Sequence, residues 1–201
     1  MKRSERTKLK IIKATQEIVN EKGVEFASVR EIAKKAEVNV ASINYYFSKK
    51  ENLLGEILLL NSEELKKCLK IKVSENLEEL SIDELVLLIF DVLRDEYVLH
   101  LNSRKMLLDK GIMNSESIRG QADSSIFSPG HTLIHDFLTE RLEGDLTTYA
   151  QRVALHLWGL IDQALFLVMG TEKDALGHGP SFIRESLKKT TQDFENGLNL
   201  K

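Results

Sequence analysis

Apolar residues recur at intervals of three and four through most of the chain, and this spacing predicts a protein built from α-helices. In the first such segment, Ile11, Ala14 and Ile18 share one helix face within residues 9–22. Gly23 follows and predicts the end of this helix, because glycine tolerates a left-handed backbone. Further helical segments are predicted at residues 48–69, 81–97, 129–142, 146–169 and 180–198.

Residues 28–50 predict two short helices joined by a tight turn. Ser28 is a good N-cap, and a glutamate three residues later gives the spacing of a capping box. Asn39 is the predicted N-cap of the second helix. On that helix, Ile43 and Phe47 lie four residues apart, so both can face inward. The stretch therefore has the pattern of a helix-turn-helix.

The outward face of the second short helix suggests contact with DNA. It carries Val40, Ala41, Ser42, Asn44, Tyr45 and Tyr46. A helix with small residues at its N-terminal end can approach the floor of the major groove, and its phenols and amide can reach phosphates. Lys50 follows at the start of another helix, where an anion is favoured. The alternative is a buried helical hairpin, but adjacent tyrosines point about 100° apart, so at least one is exposed.

The run from about Leu9 to Leu58 resembles the N-terminal domain of the TetR family of bacterial transcriptional regulators. The matching residues are Gly23, Ser28, Ile32, Ala33, Ala36, Val38, Ile43, Tyr45, Phe47, Lys50, Glu51 and Leu53. Two residues depart from the family pattern: Glu37 replaces the usual turn glycine, and Asn44 stands where many members have tyrosine. The resemblance implies an all-α chain with an N-terminal three-helix DNA-binding domain at residues 1–50. Residues 51–201 would then be a helical effector-binding and dimerisation domain.

The charge distribution agrees with this division. Residues 1–50 hold 12 Lys and Arg against six Asp and Glu, whereas residues 51–201 hold 16 against 25. A basic segment followed by an acidic one is typical of a phosphate-binding module joined to a domain that does not bind nucleic acid. Basic side chains before the first helix predict an arm, which is either disordered or in contact with the DNA backbone or minor groove. The arm comprises Lys2, Arg3, Arg6, Lys8 and Lys10.

Other chemistry is not indicated by the sequence. The single cysteine, Cys68, excludes an internal disulfide, and we expect a cytoplasmic protein without a secretion signal or membrane span. No glycine-rich phosphate loop or nucleophile motif occurs, so we expect neither an enzyme nor a cofactor. His131 and His135 are four residues apart, but Thr132 stands where the zinc-protease motif has glutamate. We therefore predict no metal site.

The last two predicted helices suggest a homodimer. Residues 155–169 are apolar nearly all round, so a monomer would expose a large apolar patch. In the TetR family, two such helices pair with their copies in a four-helix bundle, and the twofold axis implies a palindromic operator. Asp162 and Gln163 interrupt the apolar run and need polar partners, either across the dimer or in a ligand.

The resemblance also implies a small-molecule pocket, and bulky residues on the later helices could form its walls. They are Phe90, Tyr97, Met106, Phe127, Phe137, Trp158, Phe166 and Met169. The same side chains would serve equally as a filled core. Because these helices lack a positive cluster, we expect an apolar or amphipathic effector.

Three further features concern the connections. Ser48 and Ser81 each precede a glutamate by three residues, which predicts capping boxes at two helix starts. Residues 110–128 contain two glycines and five serines, and this composition predicts a mobile connection with one short helix. Ser128 and Pro129 predict the N-cap and first residue of the next helix.

Two functions fit these observations. The first is a dimeric repressor that binds a palindromic double-stranded operator and is released by a small molecule. The second is a helical adaptor or ligand-binding protein that has lost specific DNA recognition, which the departures at Glu37 and Asn44 favour slightly. Strong salt-dependent binding to DNA would exclude the second.

Overall fold

The computed structural model describes residues 3–74, 80–120, 129–141, 147–168 and 180–198, and within these ranges the chain is helical without strands. The helices are α1 (Arg3–Lys22), α2 (Val29–Ala36), α3 (Val40–Phe47), α4 (Lys50–Ser74), α5 (Ile82–Asp95), α6 (Tyr97–Leu108), α7 (Lys110–Met113), α8 (Glu116–Arg119), α9 (Pro129–Arg141), α10 (Thr147–Val168) and α11 (Pro180–Leu198). A short 3-10 turn, Val24–Phe26, lies between α1 and α2. The predicted all-α architecture is confirmed.

The chain forms two compact units. The first comprises Met1–Glu64 and Val98–Phe127, and the second comprises Leu65–Tyr97 and Ser128–Lys201. Helix α4 contributes its first part to one unit and its last part to the other. The functional division into residues 1–50 and 51–201 stays a prediction. None of the described helices combines the length and apolar character that a membrane span requires.

The core of the first unit joins the N-terminal helices to α6, α7 and α8. Ile11, Ile32 and Ile43 are buried in one apolar cluster with residues from α4. Ile112 on α7 and Ile118 on α8 belong to the same cluster. The predicted mobile connection is therefore wrong for residues 110–119, which form two short helices because their apolar side chains reach this core. Residues 121–128 lie outside the described ranges.

The first helix is longer than predicted. It begins at Arg3, so the basic residues from there to Lys10 are helical rather than a disordered arm. Lys8 shows why, because its Nζ lies 3.0 Å from Glu56 Oε1 and 5.3 Å from the centroid of the Phe47 ring. Lys8 therefore holds the N-terminal part of α1 against α4 and α3.

The second unit packs around α5. Its predicted capping box is confirmed: Ser81 Oγ accepts from the Glu84 amide at 3.4 Å, and Glu84 Oε2 accepts from the Ser81 amide at 2.8 Å. Leu85, Ile89 and Leu93, which lie on one face of this helix, are fully buried. Helix α9 begins at Pro129 as predicted, whereas Ser128 lies outside the described ranges.

Candidate nucleic-acid interface

Helix α2 ends in a turn that explains one departure from the family pattern. Glu37 adopts a left-handed backbone, with φ 55° and ψ 46°, and closes α2 as its C-cap. The next amide, that of Val38, donates to the Ala33 carbonyl at 3.0 Å. Glycine is the usual residue in such a position, because a side chain there costs about 1–2 kcal/mol. Glu37 therefore keeps the turn at the expense of some backbone strain.

The caps of the two short helices form largely as predicted. Ser28 Oγ accepts from the Glu31 amide at 3.2 Å, and Asn39 Oδ1 accepts from the Ala41 amide at 2.9 Å. The amide of Ser28 donates to the Phe26 carbonyl, so the return bond from Glu31 in the predicted capping box is replaced. These caps fix where α2 and α3 begin, and hence which side of α3 faces outward.

Helix α3 has the two faces that its sequence predicts. Ile43 and Phe47 are buried in the core of the first unit. On the other side, Tyr45 is 81% exposed and Val40 is 38% exposed. Ala41 and Asn44 are exposed as well, and Ser42 is half-buried.

Tyr46 differs from the prediction of an outward side chain. It is half-buried and packs against the core of the first unit. Its ring meets that of Tyr45 edge on, with centroids 5.0 Å apart, and also approaches Phe47. Of the two adjacent tyrosines, Tyr45 is therefore the more accessible, and the Tyr46 ring packs against both Tyr45 and the core.

Helix α4 begins beside the end of α3. Ser48 has φ 63° and closes α3, with its amide donating to the Asn44 carbonyl at 2.9 Å. The predicted capping box between Ser48 and Glu51 is therefore wrong, because Ser48 is the C-cap of the preceding helix. Lys50 is the first residue of α4 and is half-buried. Its ammonium group thus accompanies the unpaired amides of a helix N-terminus, an arrangement that favours phosphate.

The charged residues of α2 differ in their availability. Arg30 is exposed, and so is Ser28, the uncharged N-cap of the helix. Lys35 instead bonds to Glu17 at 3.1 Å and Glu21 at 3.2 Å, and these hydrogen bonds raise its pKa. Lys35 is therefore engaged within the unit, whereas Arg30 is accessible to an external anion or base.

One residue with a structural role at this site was missed from the sequence. Asn52 is buried, and its Nδ2 donates to the Phe47 carbonyl at 2.9 Å, next to the end of α3. Its Oδ1 accepts from the Glu116 amide on α8 at 3.1 Å. The only signal in the sequence is an amide beside the apolar pair Leu53 and Leu54, and the sequence gives no indication of its distant partner.

The candidate pocket residues are distributed over both units. Phe90 and Phe137 are buried in the second unit, and Trp158 is half-buried there. Met106 is fully buried in the core of the first unit, so it takes the alternative role of a core residue rather than a pocket wall. The other four candidates are Tyr97 at the start of α6, Phe166 in α10, and Phe127 and Met169, which lie outside the described ranges.

Polar residues of the later helices also have defined surroundings. The rings of His131 and His135 stack with centroids 6.4 Å apart, and the pKa of His131 is lowered by partial burial and by its neighbour. Among the described residues, no three His, Cys, Asp or Glu side chains are placed to hold a metal ion. Gln163 is exposed within this chain and Asp162 is half-buried, so polar partners for them across a dimer or in a ligand stay a prediction.

The chain is similar to known regulators at its N-terminal end. Residues 11–57 match the family model described as bacterial regulatory proteins, tetR family. YttP of Bacillus subtilis (strain 168), named as a probable HTH-type transcriptional regulator, is 40% identical over 87 residues. That alignment covers 43% of this chain and 42% of YttP, so the chain matches less than half the length of this curated relative.

Solved structures are similar over nearly the whole chain. A transcriptional regulator from Rhodococcus sp. Rha1 has a TM-score of 0.62 at 22% identity and covers 98% of this chain and 97% of its own. The multidrug binding protein EbrR, complexed with ethidium, has a TM-score of 0.61 at 21% identity, with 91% and 96% covered. These similarities extend the shared fold beyond residues 11–57 to the C-terminal helices.

Proposed function

We infer that this chain is a ligand-responsive DNA-binding transcriptional regulator of the tetR family of bacterial regulatory proteins, whose model matches residues 11–57. The observation that carries this proposal is the exposed face of α3. Tyr45, Val40 and Asn44 are accessible on a helix whose opposite face is buried. A short, capped helix with one open face is the element that helix-turn-helix proteins insert into the major groove.

The residues of this face divide into two roles. Val40 and Ala41 are small residues at the N-terminal end of α3, which suits them to the groove floor. Ser42 and Arg30 are the candidates for base contacts. Three further candidates, Asn44, Tyr45 and Lys50, suit phosphate contacts, which fix orientation without reading sequence. Tyr46 contributes chiefly by supporting the ring of Tyr45.

A homodimer through α10 and α11 completes the proposal. Leu155 on α10 is 63% exposed and Phe182 on α11 is 51% exposed, so each helix carries apolar surface that a second copy can cover. A twofold dimer would present two copies of α3 to half-sites about 34 Å apart, or a multiple of that distance. The operator is then palindromic, and a repressor of this kind would act in the cytoplasm.

The proposed effector is a small apolar or amphipathic molecule bound by the later helices. Phe137 and Trp158 offer aromatic surface in the second unit, and the similar fold of EbrR accommodates ethidium. Because α4 contributes to both units, it is the natural element to transmit ligand binding to α3. The ligand lowers DNA affinity only by its preference for the conformer that binds DNA poorly.

Selection from a random duplex library tests the function directly. The purified full chain is incubated with the library at moderate salt, and the mass of the bound species is recorded by light scattering. We expect a palindrome bound by a dimer, with affinity that falls steeply as salt rises. No enrichment, even after refolding to remove bound ligand, would instead favour a helical adaptor that does not recognise DNA.

Substitutions then test the division of roles. Tyr45→Ala and Lys50→Ala should weaken binding to every duplex, since each removes a phosphate contact. Ser42→Ala and Arg30→Ala should change which bases are preferred at defined operator positions. If all four variants lowered affinity equally on every sequence, this assignment of roles would be wrong.

A further inference from the structure

Asn52 connects the end of α3 to the start of α8. Its side chain is 5% exposed and makes two hydrogen bonds in opposite directions. Nδ2 donates to the Phe47 carbonyl at 2.9 Å, and Oδ1 accepts from the Glu116 amide at 3.1 Å. A third bond joins α8 to α4, because Ser117 Oγ donates to the backbone carbonyl of Asn52 at 2.8 Å. Asn52 is thus bonded at one buried point to Glu116 and Ser117, which follow it in the sequence by 64 and 65 positions.

A glycine on α4 lets α8 come close enough for these bonds. A Cβ added at Gly55 would lie 2.5 Å from Ser115 Oγ and 3.2 Å from Ser117 Cβ. It would also lie 3.3 Å from Ile118 Cγ1, and Ile118 belongs to the same apolar core as Ile43. Helix α8 therefore sits directly on the first turns of α4, and any larger residue at Gly55 would push it away.

The bond to Phe47 matters because the last carbonyls of a helix have no partner within it. Phe47 is the last residue of α3, and its carbonyl accepts from the Lys49 amide at 2.7 Å as well as from Asn52. The Lys49 bond is local to the turn. The Asn52 bond is the one that relates the end of α3 to α4, and the orientation of Asn52 is fixed in turn by α8.

We propose that Asn52 is a positioning residue for the recognition helix α3, and that α8 holds it in place through the Glu116 amide. This proposal rests on the proposed DNA-binding function and assigns a role in it to a segment far from α3 in sequence. When α8 is seated, the Asn52 amide fixes the end of α3. When α8 moves away, Asn52 Oδ1 loses its donor, the Glu116 amide, and α3 can tilt, so the operator binds less tightly.

Glu116→Pro removes the hydrogen bond from α8 to Asn52 and is the sharpest test. Glu116 is the first residue of α8, where proline is well tolerated, and Ser115 before it already has the extended backbone that precedes proline. The substitution therefore suits the helix but replaces the N–H that donates to Asn52 by a ring carbon, which also displaces Oδ1 from its present position. Glu116→Ala is the matched control, since it keeps the amide and shortens only an exposed side chain.

The readout is the dissociation constant of the full chain for the selected operator and for an unrelated duplex. We expect Glu116→Pro to weaken operator binding about three- to tenfold, the equivalent of one hydrogen bond. Binding to the unrelated duplex should fall less, because it depends on phosphate charge more than on the base contacts that a tilt of α3 disturbs. A loss of folded protein would lower both affinities together, so an equal loss on both duplexes overturns the proposal.

Asn52→Leu removes both amide bonds at similar volume and should have a larger effect than Glu116→Pro, in the same direction. Gly55→Ala offers an independent route, because alanine ordinarily favours a helix over glycine. Here it should weaken operator binding by displacing α8. Gly55→Ala combined with Ser115→Ala removes the nearest colliding atom and should recover part of the lost affinity. Operator affinity at the wild-type level in both Glu116→Pro and Gly55→Ala would contradict the positioning role.

A failure of the proposed function is distinguishable from a failure of this inference. If the unsubstituted chain enriches no duplex, the DNA-binding proposal fails on its own terms. Amide hydrogen exchange then decides the positioning role without DNA. The Ser48 amide, which donates to Asn44 at the end of α3, should exchange faster in Glu116→Pro than in Glu116→Ala. Equal exchange rates in the two variants would overturn the restraint of α3 by α8.

Discussion

The two compact units of this chain join their helices in different ways. In the first unit, buried amides donate to backbone carbonyls near helix ends. Asn52 donates to Phe47, and Asn102 Nδ2 donates to the Val19 carbonyl on α1 at 2.6 Å. Hydrogen bonds of this kind are shielded from water, and each gives a second donor to a carbonyl that also accepts from a nearby backbone amide. They therefore fix one arrangement of the helices.

The second unit relies mainly on apolar contact and on side-chain pairs between α11 and α5: Gln192 Nε2 donates to Asp83 Oδ2 at 2.8 Å, and an ion pair lies at the surface. Arg184 on α11 donates from Nη2 to Asp91 on α5 at 2.8 Å, and its pKa is raised by that bond. Both side chains retain solvent contact, so the pair is screened and contributes little. On α9, the absence of a side chain at Gly130 admits Trp158 and Ile89 at close range.

The difference suits the two tasks proposed for these units. A DNA-binding unit has to present α3 at one angle, which directional buried bonds can define. A ligand-binding unit has to adopt more than one shape, and apolar contacts with a screened ion pair allow that at a lower cost in free energy. Four substitutions or conditions test this contrast.

The largest effect is expected at the close approach in the second unit. Gly130→Ala would place a Cβ against Trp158 Cζ3 and 2.9 Å from Ile89 Cγ2. We expect the free energy of unfolding to fall by about 3 kcal/mol, at the upper end of the usual cost of overpacking. Denaturant unfolding followed by the fluorescence of Trp158, the only tryptophan, measures it.

Gly159→Ala on α10 is the matched control for that prediction. No described atom lies within 4 Å of a Cβ added there. Alanine should therefore raise the free energy of unfolding by about 0.5–1 kcal/mol through helix propensity alone. Similar losses in both glycine variants would show that close packing at Gly130 is not the cause.

The next effect concerns the buried amides of the first unit. Asn102→Leu removes one of two donors to the Val19 carbonyl, which still accepts from the Gly23 amide at 3.0 Å, so we expect a loss of about 1–1.5 kcal/mol, that of one buried hydrogen bond. Asn61 on α4 is also fully buried, yet neither atom of its amide has a partner among the described residues. Asn61→Leu should leave stability equal or higher. Circular dichroism during unfolding compares the two, and equal losses would remove the distinction between bonded and unbonded amides.

A smaller effect is expected from the surface ion pair. Arg184→Ala should lower the free energy of unfolding by about 0.5–1 kcal/mol at low salt, as exposed pairs do. In 1 M salt the loss should shrink, because charges are screened beyond about 3 Å. A double-mutant cycle with Asp91→Ala isolates the pair, although Asp91 also meets Arg94 at 2.9 Å. A coupling that persisted unchanged in high salt would mean that the second unit is held as rigidly as the first.

The smallest effect is a dependence on pH. Partial burial and the charge of His135 lower the pKa of His131 below its ordinary value of 6.5. The unfolded chain then binds more protons than the folded chain just below that pH, so stability should fall as the pH drops through 6.5. His131→Gln should reduce the difference in melting temperature between pH 7.5 and 5.5. An unaltered difference would place the pH response elsewhere.

Local patterns in the sequence predict the helices and caps well. Ser28, Asn39 and Ser81 each accept the bond expected of an N-cap, and Ile43 and Phe47 face the core as their spacing indicates. These features depend on residues three or four apart. Cap hydrogen bonds and helix faces are determined by residues within about one helical turn, so the sequence alone is enough to predict them.

Contacts between distant segments account for what the sequence missed. Lys8 was expected in a basic arm, but Glu56 and Phe47 hold it within α1. The composition of residues 110–119 indicated a mobile connection, yet these residues pack through Ile112 and Ile118 into the core of the first unit. Neither outcome follows from local spacing, because the partners lie from about 40 to more than 100 residues away.

The bond between Asn52 and Glu116 has a consequence for protein engineering. A chimera that grafts residues 1–64 onto the C-terminal helices of another regulator would carry α3 and Asn52 without α8. The graft would keep every residue that is proposed to touch DNA and would lose the backbone amide that orients Asn52. Transplanting residues 97–119 together with the N-terminal helices keeps that amide, so the transferable module in this protein is discontinuous in sequence.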